Sequence, residues 1–560
     1  MSAIQFHRRQ LLQGAAVLGA LGAGVVLPAQ AAIAAPAREL SGEEITLTIG
    51  QTIIQIDGRP ARAVAINGGV PGPTLRLREG QKLRITVINE LTEDSSLHWH
   101  GLELPFQMDG VPGVSFPGIP ALGRFTYEFT IHQHGTYWYH SHSGLQEMMG
   151  CYGSIVIEPA AADPAPPAHD HVMVLSDHSF VHPASILRKL KVDPGHYARY
   201  PQTLAGLIAG KDQPLKTRLE FAQMRMDPAD ISDVTGKVFR YLINGRGMGD
   251  NFTAPITPGA PARLRFINAG SMTFFNVRIP DLAMQVIAAD GQAIVPVEVD
   301  EFQMGPGETY DVLITPQDRA YTVAAEAMDR SGMARATLTP RPGLTAPVPP
   351  LRAPVRLTMR DMGMDMDMSH GGGGMDMSMR SQANAPDVKL GPGVDMIAPM
   401  PVDRTGEPGL GLDKGGLDKI GHRVLTYRDL VAPVQNPDTR AAEREIEMHL
   451  TGSMDRYLWS FDGVTMSEAH HPVTWATGER LRITLINDTM MGHPIHLHGH
   501  FFELVTGHGD RSPRKHTVIV QPGGKVSFDV TANEGDWPMH CHLFLHMAMG
   551  MMRVVKVRGA

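Results

Sequence analysis

Short alternating runs of apolar and polar residues dominate the chain, and Gly and Pro residues separate these runs. A period of two is typical of half-buried β-strands, whereas amphipathic helices place apolar residues every three or four positions. Stretches with the helical period are few, and residues 185–221 are the main candidate for inserted helix. The pattern therefore predicts an all-β fold with a small helical insertion.

One strand sequence occurs three times along the chain. Its copies occupy residues 76–90, 476–488 and, more weakly, 258–269. Each copy is followed by a second matched strand, at residues 123–131, 524–532 and 307–316 respectively. Three β-sandwich units of one type, each of roughly 100 residues or more, fit this repeat. We expect the units at residues 38–160, 165–341 and 421–560, with a linker at residues 342–420.

The N-terminus has the features of an export signal. Residues 1–31 contain a charged start with Arg8-Arg9, an apolar run at residues 11–27 and an Ala-Gln-Ala sequence at residues 29–31. The paired arginines favour the twin-arginine route, while an ordinary secretory signal or a retained anchor are the alternatives. No other apolar run is long enough to span a bilayer. We therefore expect a cleaved signal and a soluble mature protein outside the cytoplasm.

Composition changes this picture in two ways. The 560 residues carry a net charge of −8 and show no basic domain, which argues against nucleic acid as the main partner. They also include 33 Met and 26 His but only 2 Cys. Because thioether and imidazole groups are copper ligands, this composition raises a copper hypothesis without proving it.

The predicted linker is rich in methionine. Residues 340–354 are proline-rich, and residues 359–380 contain eight methionines, four aspartates, one histidine and a glycine run. Because the methionines alternate with charges and glycines, we expect no packed core here. The segment is either a flexible linker or a tether whose soft ligands capture Cu(I) reversibly. The candidate ligands of the tether are Met362, Met364, Met366, Met368, His370, Met375, Met377 and Met379.

Histidines are concentrated in four clusters, two in the first unit and two in the third. The clusters are residues 98–101 (HWHG), 139–142 (YHSH), 493–499 (HPIHLHG) and 540–551 (HCHLFLHMAMGM). Each contains histidines two positions apart, and such residues face the same side of a strand. Eight imidazoles from four strands can therefore meet between the first and third units. This number is too large for one tetrahedral zinc ion and suits a multinuclear centre.

Cys541 lies between His540 and His542 and therefore faces the opposite side of their strand. We expect it to join His493 and His546 in a second, separate site, with Met551 as a long axial ligand. Two His, one Cys and a weak Met form the blue-copper site used for electron transfer. One peptide segment would thus connect an electron-accepting copper to the multinuclear cluster.

The second cysteine, Cys151, is not needed by either site. Since two cysteines allow at most one disulfide and Cys541 is used as a ligand, we expect no disulfide. Cys151 stands in a β-rich run, so a buried small hydrophobic role is favoured over metal binding.

The four clusters resemble the copper-binding motifs of three-domain multicopper oxidases. Four further segments, at residues 104–120, 135–148, 226–237 and 514–519, resemble the periplasmic copper-resistance protein A family in particular. The resemblance covers essentially the whole chain. It implies three cupredoxin-like Greek-key β-sandwich domains, the middle one without copper ligands, and a periplasmic protein. We expect a monomer.

Carried over by position, the resemblance implies four copper ions. The type 1 ligands would be His493, Cys541, His546 and axial Met551. The type 2 ligands would be His98 and His496. The ligands of the binuclear type 3 pair would be His100, His140, His142, His498, His540 and His542. In the family, electrons enter singly at type 1 copper, and four of them reduce O2 to two waters at the other three ions.

The resemblance also bears on the acids that deliver protons. Asp109 matches the position of an acid near type 2 copper in relatives, although an ordinary loop carboxylate is an equal alternative. Some cuprous oxidases have a Glu directly after the histidine that corresponds to His546. Here that residue is Met547, so another acid must take its place.

Three functions are compatible with the sequence. The first is a copper-tolerance oxidase that converts Cu(I) to Cu(II) at the expense of O2. The resemblance implies that an axial thioether lowers the type 1 potential relative to a leucine, which favours an easily oxidised donor such as Cu(I). The second is a laccase-like oxidase of phenols or aromatic amines, which needs an open and partly apolar donor pocket. The third is copper sequestration without catalysis, for which a complete ligand framework would be superfluous.

Overall fold

The computed structural model describes residues 39–161, 166–223, 227–362, 380–412, 422–469 and 472–559. The predicted leader, residues 1–31, and the tract from Met364 to Met379 lie outside the described residues. The described chain forms three β-sandwiches in sequence, so the predicted all-β fold is confirmed. The unit boundaries expected from the sequence stay a prediction.

The first sandwich pairs a five-stranded sheet, in the order β1-β4-β9-β8-β6, with a four-stranded sheet, β3-β2-β5-β7. Its strands are β1 Glu39–Leu40, β2 Glu44–Ile56, β3 Arg59–Ile66, β4 Thr74–Arg78, β5 Lys82–Asn89, β6 His98–His100, β7 Arg124–Thr130, β8 Gly135–His140 and β9 Tyr152–Glu158. Cys151 is a free thiol that is buried in the apolar core of this unit, as predicted.

The second sandwich has sheets β11-β10-β13-β18-β15-β16 and β12-β20-β19-β14-β17. Its strands are β10 His169–Ser179, β11 Phe239–Ile243, β12 Phe252–Pro255, β13 Ala262–Asn268, β14 Phe275–Arg278, β15 Met284–Ala289, β16 Gln292–Val299, β17 Glu301–Met304, β18 Thr309–Ile314, β19 Tyr321–Ala327 and β20 Met333–Thr339. The predicted helical insertion follows β10 as α1 Pro183–Leu190, α2 Leu204–Ile208 and α3 Leu215–Gln223.

The third sandwich has sheets β23-β22-β25-β30-β27-β28 and β24-β32-β31-β26-β29, with β21 paired to β30. Its strands are β21 Val402–Asp403, β22 Arg444–Ser453, β23 Leu458–Phe461, β24 Val473–Ala476, β25 Arg480–Asn487, β26 His493–Leu497, β27 Phe502–Leu504, β28 Arg514–Lys515, β29 Thr517–Val520, β30 Gly524–Thr531, β31 Gly535–Cys541 and β32 Met552–Arg558. A short helix, α4 Phe544–Ala548, follows β31. Within the described ranges, no helix combines the length and apolar character needed to cross a bilayer.

The repeated strands occupy equivalent places in the three units. The first member of each pair (β5, β13 or β25) lies antiparallel to the second (β7, β18 or β30). It lies parallel to the opening long strand of its unit, which is β2, β10 or β22. The sequence repeat therefore reflects one sheet topology used three times.

The linker is more ordered at its described ends than its composition predicts. Arg352 at the entry and His422 at the exit both contact the carboxylate of Glu301, at 2.6 Å and 2.7 Å. Met362 ends a 3-10 turn, Met359–Met362, and is fully buried in the main apolar core. The expectation of no packed core was therefore wrong at Met362, because its thioether is placed among apolar side chains by the turn. Such burial leaves it poorly placed for a role in reversible Cu(I) capture.

Candidate metal centre

Four strands carry the predicted histidines to one place. In the first unit β6 and β8 are antiparallel neighbours, and His98 lies opposite His140. In the third unit β26 and β31 are antiparallel neighbours, and His496 lies opposite His540. Because alternate residues of a strand share a face, each strand presents its second histidine to the same side.

The eight imidazoles meet at the interface between the first and third units. The ring centroids of His98 and His498 are 3.9 Å apart, and those of His100 and His496 are 3.8 Å apart. The Nε2 atoms of His498 and His540 are 3.0 Å apart. The group is completed by His142, 5.1 Å from His540, and by His140 and His542, 5.2 Å from each other.

The outward-facing ring nitrogens of this cluster are held by the protein. His98 Nδ1 donates to the carbonyl of Asp109 at 2.8 Å, and His498 Nδ1 lies 2.9 Å from Asp109 Oδ2. His496 Nδ1 donates to the carbonyl of His516 at 2.7 Å. The opposite nitrogens are buried without hydrogen-bond partners, namely Nε2 of His98, His142 and His496 and Nδ1 of His100. Unpartnered buried nitrogens that face one another fit a metal cluster, since an orphaned polar group is otherwise costly.

Burial favours the neutral form of seven of these imidazoles. Desolvation, and then the neighbouring imidazoles, lower the pKa of six of them well below the ordinary value, namely His100, His140, His142, His496, His498 and His542. Desolvation lowers the pKa of His540 to about 4. A neutral imidazole is the form that binds a metal ion, so these side chains are ready to act as ligands at neutral pH.

The predicted thiolate site is a separate pocket in the third unit. Cys541 Sγ lies 3.4 Å from His493 Nδ1 and 3.9 Å from His546 Nδ1. All three residues are fully buried, and their ligand atoms are close enough to hold one ion. Met551 is also buried, and its carbonyl accepts the Cys541 N–H at 3.1 Å. Two imidazoles around one sulfur, with the backbone of a buried methionine beside them, fit copper in a blue-copper arrangement.

One strand end joins the two pockets. The side chain of Cys541 enters the apolar core of the third unit, while its neighbours His540 and His542 enter the histidine cluster. The alternation of the strand therefore separates the two candidate pockets by the width of a peptide backbone.

Asp109 is placed at the histidine cluster. It is 1% exposed, and its Oδ1 lies 3.2 Å from His98 Nδ1, in addition to the contact with His498. The next residue is Gly110, with φ of +86°, and a Cβ atom there would lie 1.8 Å from the carbonyl oxygen of Leu97. Only glycine permits this approach of the Asp109 loop to the β6 strand.

Sequence reasoning missed the residues that cover the thiolate site. Asp233, from the second unit, is 2% exposed, and its Oδ2 accepts from His546 Nε2 at 2.7 Å and from the Tyr457 hydroxyl at 2.8 Å. The indole of Trp459 stacks on His546 with centroids 3.7 Å apart. Asp233 lies in the segment 226–237 that carried the family resemblance, but no local pattern indicated its partner.

Two further residues bear on what the sequence predicted for the histidine cluster. Met547 is half-buried on α4 and brings no carboxylate to the cluster, as the sequence indicated. His516, which was not predicted as part of the site, is fully buried with its ring 4.8 Å from that of His100. Its signal was the histidine in the segment 514–519, which resembled the family but followed no ligand motif.

Comparison with known proteins gives a consistent result. Three regions match family models described as multicopper oxidase, at residues 48–162, 169–341 and 439–560. The chain is 44% identical to copper resistance protein A of Escherichia coli, with 99% of both chains covered. It is 43% identical to the copper resistance protein A homolog of Pseudomonas syringae pv. tomato, with 92% of this chain and 93% of the relative covered.

Solved structures show the same architecture. The laccase of Botrytis aclada superposes with a TM-score of 0.64 at 21% identity, and covers 93% of this chain and 88% of the laccase. This likeness shows the fold alone. The donor atoms of the two pockets fit a blue-copper ion and a copper cluster. By its three matched regions and its 43–44% identity to copper resistance protein A proteins, the chain belongs to the multicopper oxidase family, as an oxidoreductase that uses four copper ions and O2.

Proposed function

We propose that this chain is a periplasmic copper-tolerance oxidase that oxidises Cu(I) to Cu(II) and reduces O2 to water. Four Cu(I) ions, one O2 and four protons give four Cu(II) ions and two waters. The names of its copper resistance relatives support the tolerance role. The Arg8-Arg9 leader supports export by the twin-arginine route.

The described residues suggest how the coppers would be held. His493, Cys541 and His546 would bind the type 1 ion, with Met551 as axial ligand. The other assignments follow the family order: His98 and His496 for type 2, and His100, His140, His142, His498, His540 and His542 for the type 3 pair. When bound, copper supplies one-electron redox chemistry in both pockets, which the side chains alone cannot provide.

The choice of donor rests on a single observation, namely that His546 is buried beneath a carboxylate. Its Nε2 atom is capped by the carboxylate of Asp233, and the residue is fully buried. An aromatic donor needs an open, partly apolar pocket at this imidazole edge. A buried carboxylate in that place instead favours a metal cation, whose charge it neutralises.

A second carboxylate strengthens this interpretation. Asp230, three residues before Asp233, is half-buried, and one carboxylate oxygen of each residue is buried without a partner. Desolvation and the nearby acids Asp233 and Asp227 raise the pKa of Asp230 well above its ordinary value. A bound cation would compensate both the burial of these unpartnered oxygens and the repulsion between the acids, because it pairs with the oxygens and opposes their charge.

The methionine tract would concentrate the substrate. On its N-terminal side, Leu357 donates its N–H to the carbonyl of Pro228 in the Asp230 loop. On its C-terminal side, Asp395 accepts the N–H of Met454, three residues before Tyr457. These anchors support the proposal that thioethers between Met364 and Met379, with His370, deliver Cu(I) near Asp230.

Dioxygen uptake with Cu(I) as donor tests the proposal. The intact protein should consume one O2 for four Cu(I). A variant with Leu at every tract methionine from Met364 to Met379 keeps the segment length, and it should turn over more slowly at low Cu(I). Equal rates would remove the tract from the mechanism. Copper-independent turnover of a phenol would support the laccase alternative, and full tolerance in cells carrying C541S would support sequestration.

A further inference from the structure

His140 has a distinctive environment within the histidine cluster. One face of its ring stacks on Trp138, with centroids 4.2 Å apart and an interplanar angle of 17°. Its Nδ1 atom lies 2.6 Å from Oε2 of Glu147, a close ion-pair contact that falls outside hydrogen-bond geometry. Both side chains are almost completely buried, at 1% and 2% exposure. A carboxylate at one ring nitrogen leaves the other, Nε2, to face the remaining imidazoles.

Glu147 is held rigidly. It begins the 3-10 turn Glu147–Met149, which ends at Gly150 with φ of +109°. The preceding side chain, Gln146, accepts hydrogen bonds from Ser95 at 2.7 Å and Ser141 at 2.9 Å. A Cβ atom at Gly150 would lie 2.8 Å from Val70, so a close approach fixes the far end of the turn. The position of the carboxylate is therefore built in before any metal binds.

The charge of Glu147 has no protein cation to balance it. In the described part of the chain, no Lys or Arg forms an ion pair with it, and its Oε1 is buried without a partner. Asp177, the other charged residue that acts on it, has the same sign and does not compensate it. A buried carboxylate without compensation is strongly destabilising, so its placement at a proposed ligand histidine calls for positive charge on the cluster side.

We propose that Glu147 is a positioning residue of the type 3 copper pair, which orients His140 and supplies the buried negative charge that Met547 does not. The inference rests on the proposed assignment of His140 as a type 3 ligand. Asp109 contacts His98 and His498, so Glu147 gives the cluster a second carboxylate through a different histidine. Carboxylates that hold a metal-bound histidine fix its tautomer and make it a stronger ligand.

The test compares E147Q, E147D and E93Q in the copper-loaded full chain. Glutamine keeps the size and the acceptor oxygen but removes the charge, whereas aspartate keeps the charge. Glu93, in the segment between β5 and β6, is the control, because it accepts from Gln146 Nε2 at 3.1 Å and contacts no cluster histidine among the described residues. The readouts are copper per chain after dialysis against a chelator, the near-ultraviolet type 3 band, the visible type 1 band and the unfolding temperature of the apo forms.

We expect E147Q to retain type 3 copper about 10- to 100-fold more weakly, with its type 1 band and apo stability unchanged. E147D should restore much of the type 3 band, and E93Q should match the wild type. Normal type 3 retention in E147Q, or an equal loss in E93Q, overturns the proposal. A wild-type protein without four coppers and a type 3 band would overturn the proposed function as well, so the two failures are distinguishable.

Discussion

Replacing Asp233 by asparagine isolates the charge that covers the thiolate site. The side chain keeps its shape and one oxygen that can accept from His546 Nε2, now 2.7 Å from Asp233 Oδ2. It loses the negative charge that would attract Cu(I). Because Asp233 is 2% exposed, water does not replace that charge. We therefore expect D233N to impair Cu(I) oxidation without unfolding the site.

The size of the effect follows from the surroundings of Asp233. Truncating one partner of a buried charge pair costs about 2–5 kcal/mol. Asp230 remains on the same loop and is half-buried, so we expect the lower end, about 2 kcal/mol. Since 1.4 kcal/mol corresponds to a factor of ten, kcat/KM for Cu(I) should fall about 30-fold. An uncharged aromatic donor gains nothing from the carboxylate and should not lose rate.

Steady-state O2 consumption measures this prediction, with the visible type 1 band as the check that the site is intact. D227N is the matched control, because Asp227 belongs to the same loop but caps the Ala229 N–H rather than His546. It should change the Cu(I) rate by less than about threefold, as is usual for acids away from a buried site. An unchanged Cu(I) rate in D233N, or an equal loss in D227N, would refute the argument that this carboxylate receives the donor.

Three further outcomes are expected. C541S should abolish the visible type 1 band and O2 consumption while the circular dichroism of the fold stays unchanged; a retained band would show that Cys541 is not the thiolate ligand. Burial raises the pKa of the Cys541 thiol, while that of His540 is lowered to about 4, so at pH 7 the thiol is protonated and the imidazole is not. Copper binding should therefore release one proton more per chain from the wild type than from C541S. Calorimetric titration in buffers of different ionisation enthalpy measures this release, and equal release from both proteins would contradict the prediction. D109N should slow O2 consumption by about 100-fold, the lower end of the range for an acid that delivers protons. In stopped-flow experiments Cu(I) should still reduce, and so bleach, the type 1 ion at the normal rate. Slowed bleaching would place Asp109 elsewhere in the reaction.

Local strand geometry accounts for the part of the site that could be predicted. The pairs His98 and His100, and His540 and His542, share a face because strand residues alternate with a period of two. The same rule directs Cys541 to the other side. The repeat in β5, β13 and β25 likewise encodes one sheet topology, since each copy carries its own apolar alternation.

The rest depended on contacts between distant parts of the chain. Asp233 reaches His546 across 313 positions, and Asp109 reaches His498 across 389. Met362 looked like part of a solvated tract but is buried, because the turn that contains it is covered by the core. No periodicity in the sequence indicates these long-range contacts, because they form only when complete sheets pack against one another.

The sequence by itself thus determined the three β-sandwiches, the two groups of candidate ligands and their opposite directions on one strand. The tertiary structure decided which carboxylates complete them: Asp233 over the thiolate site, and Glu147 and Asp109 at the histidine cluster. The physical reason is one of range. Alternation along a strand is local, whereas the burial of a charge beside a particular imidazole exists only after separate units have packed together.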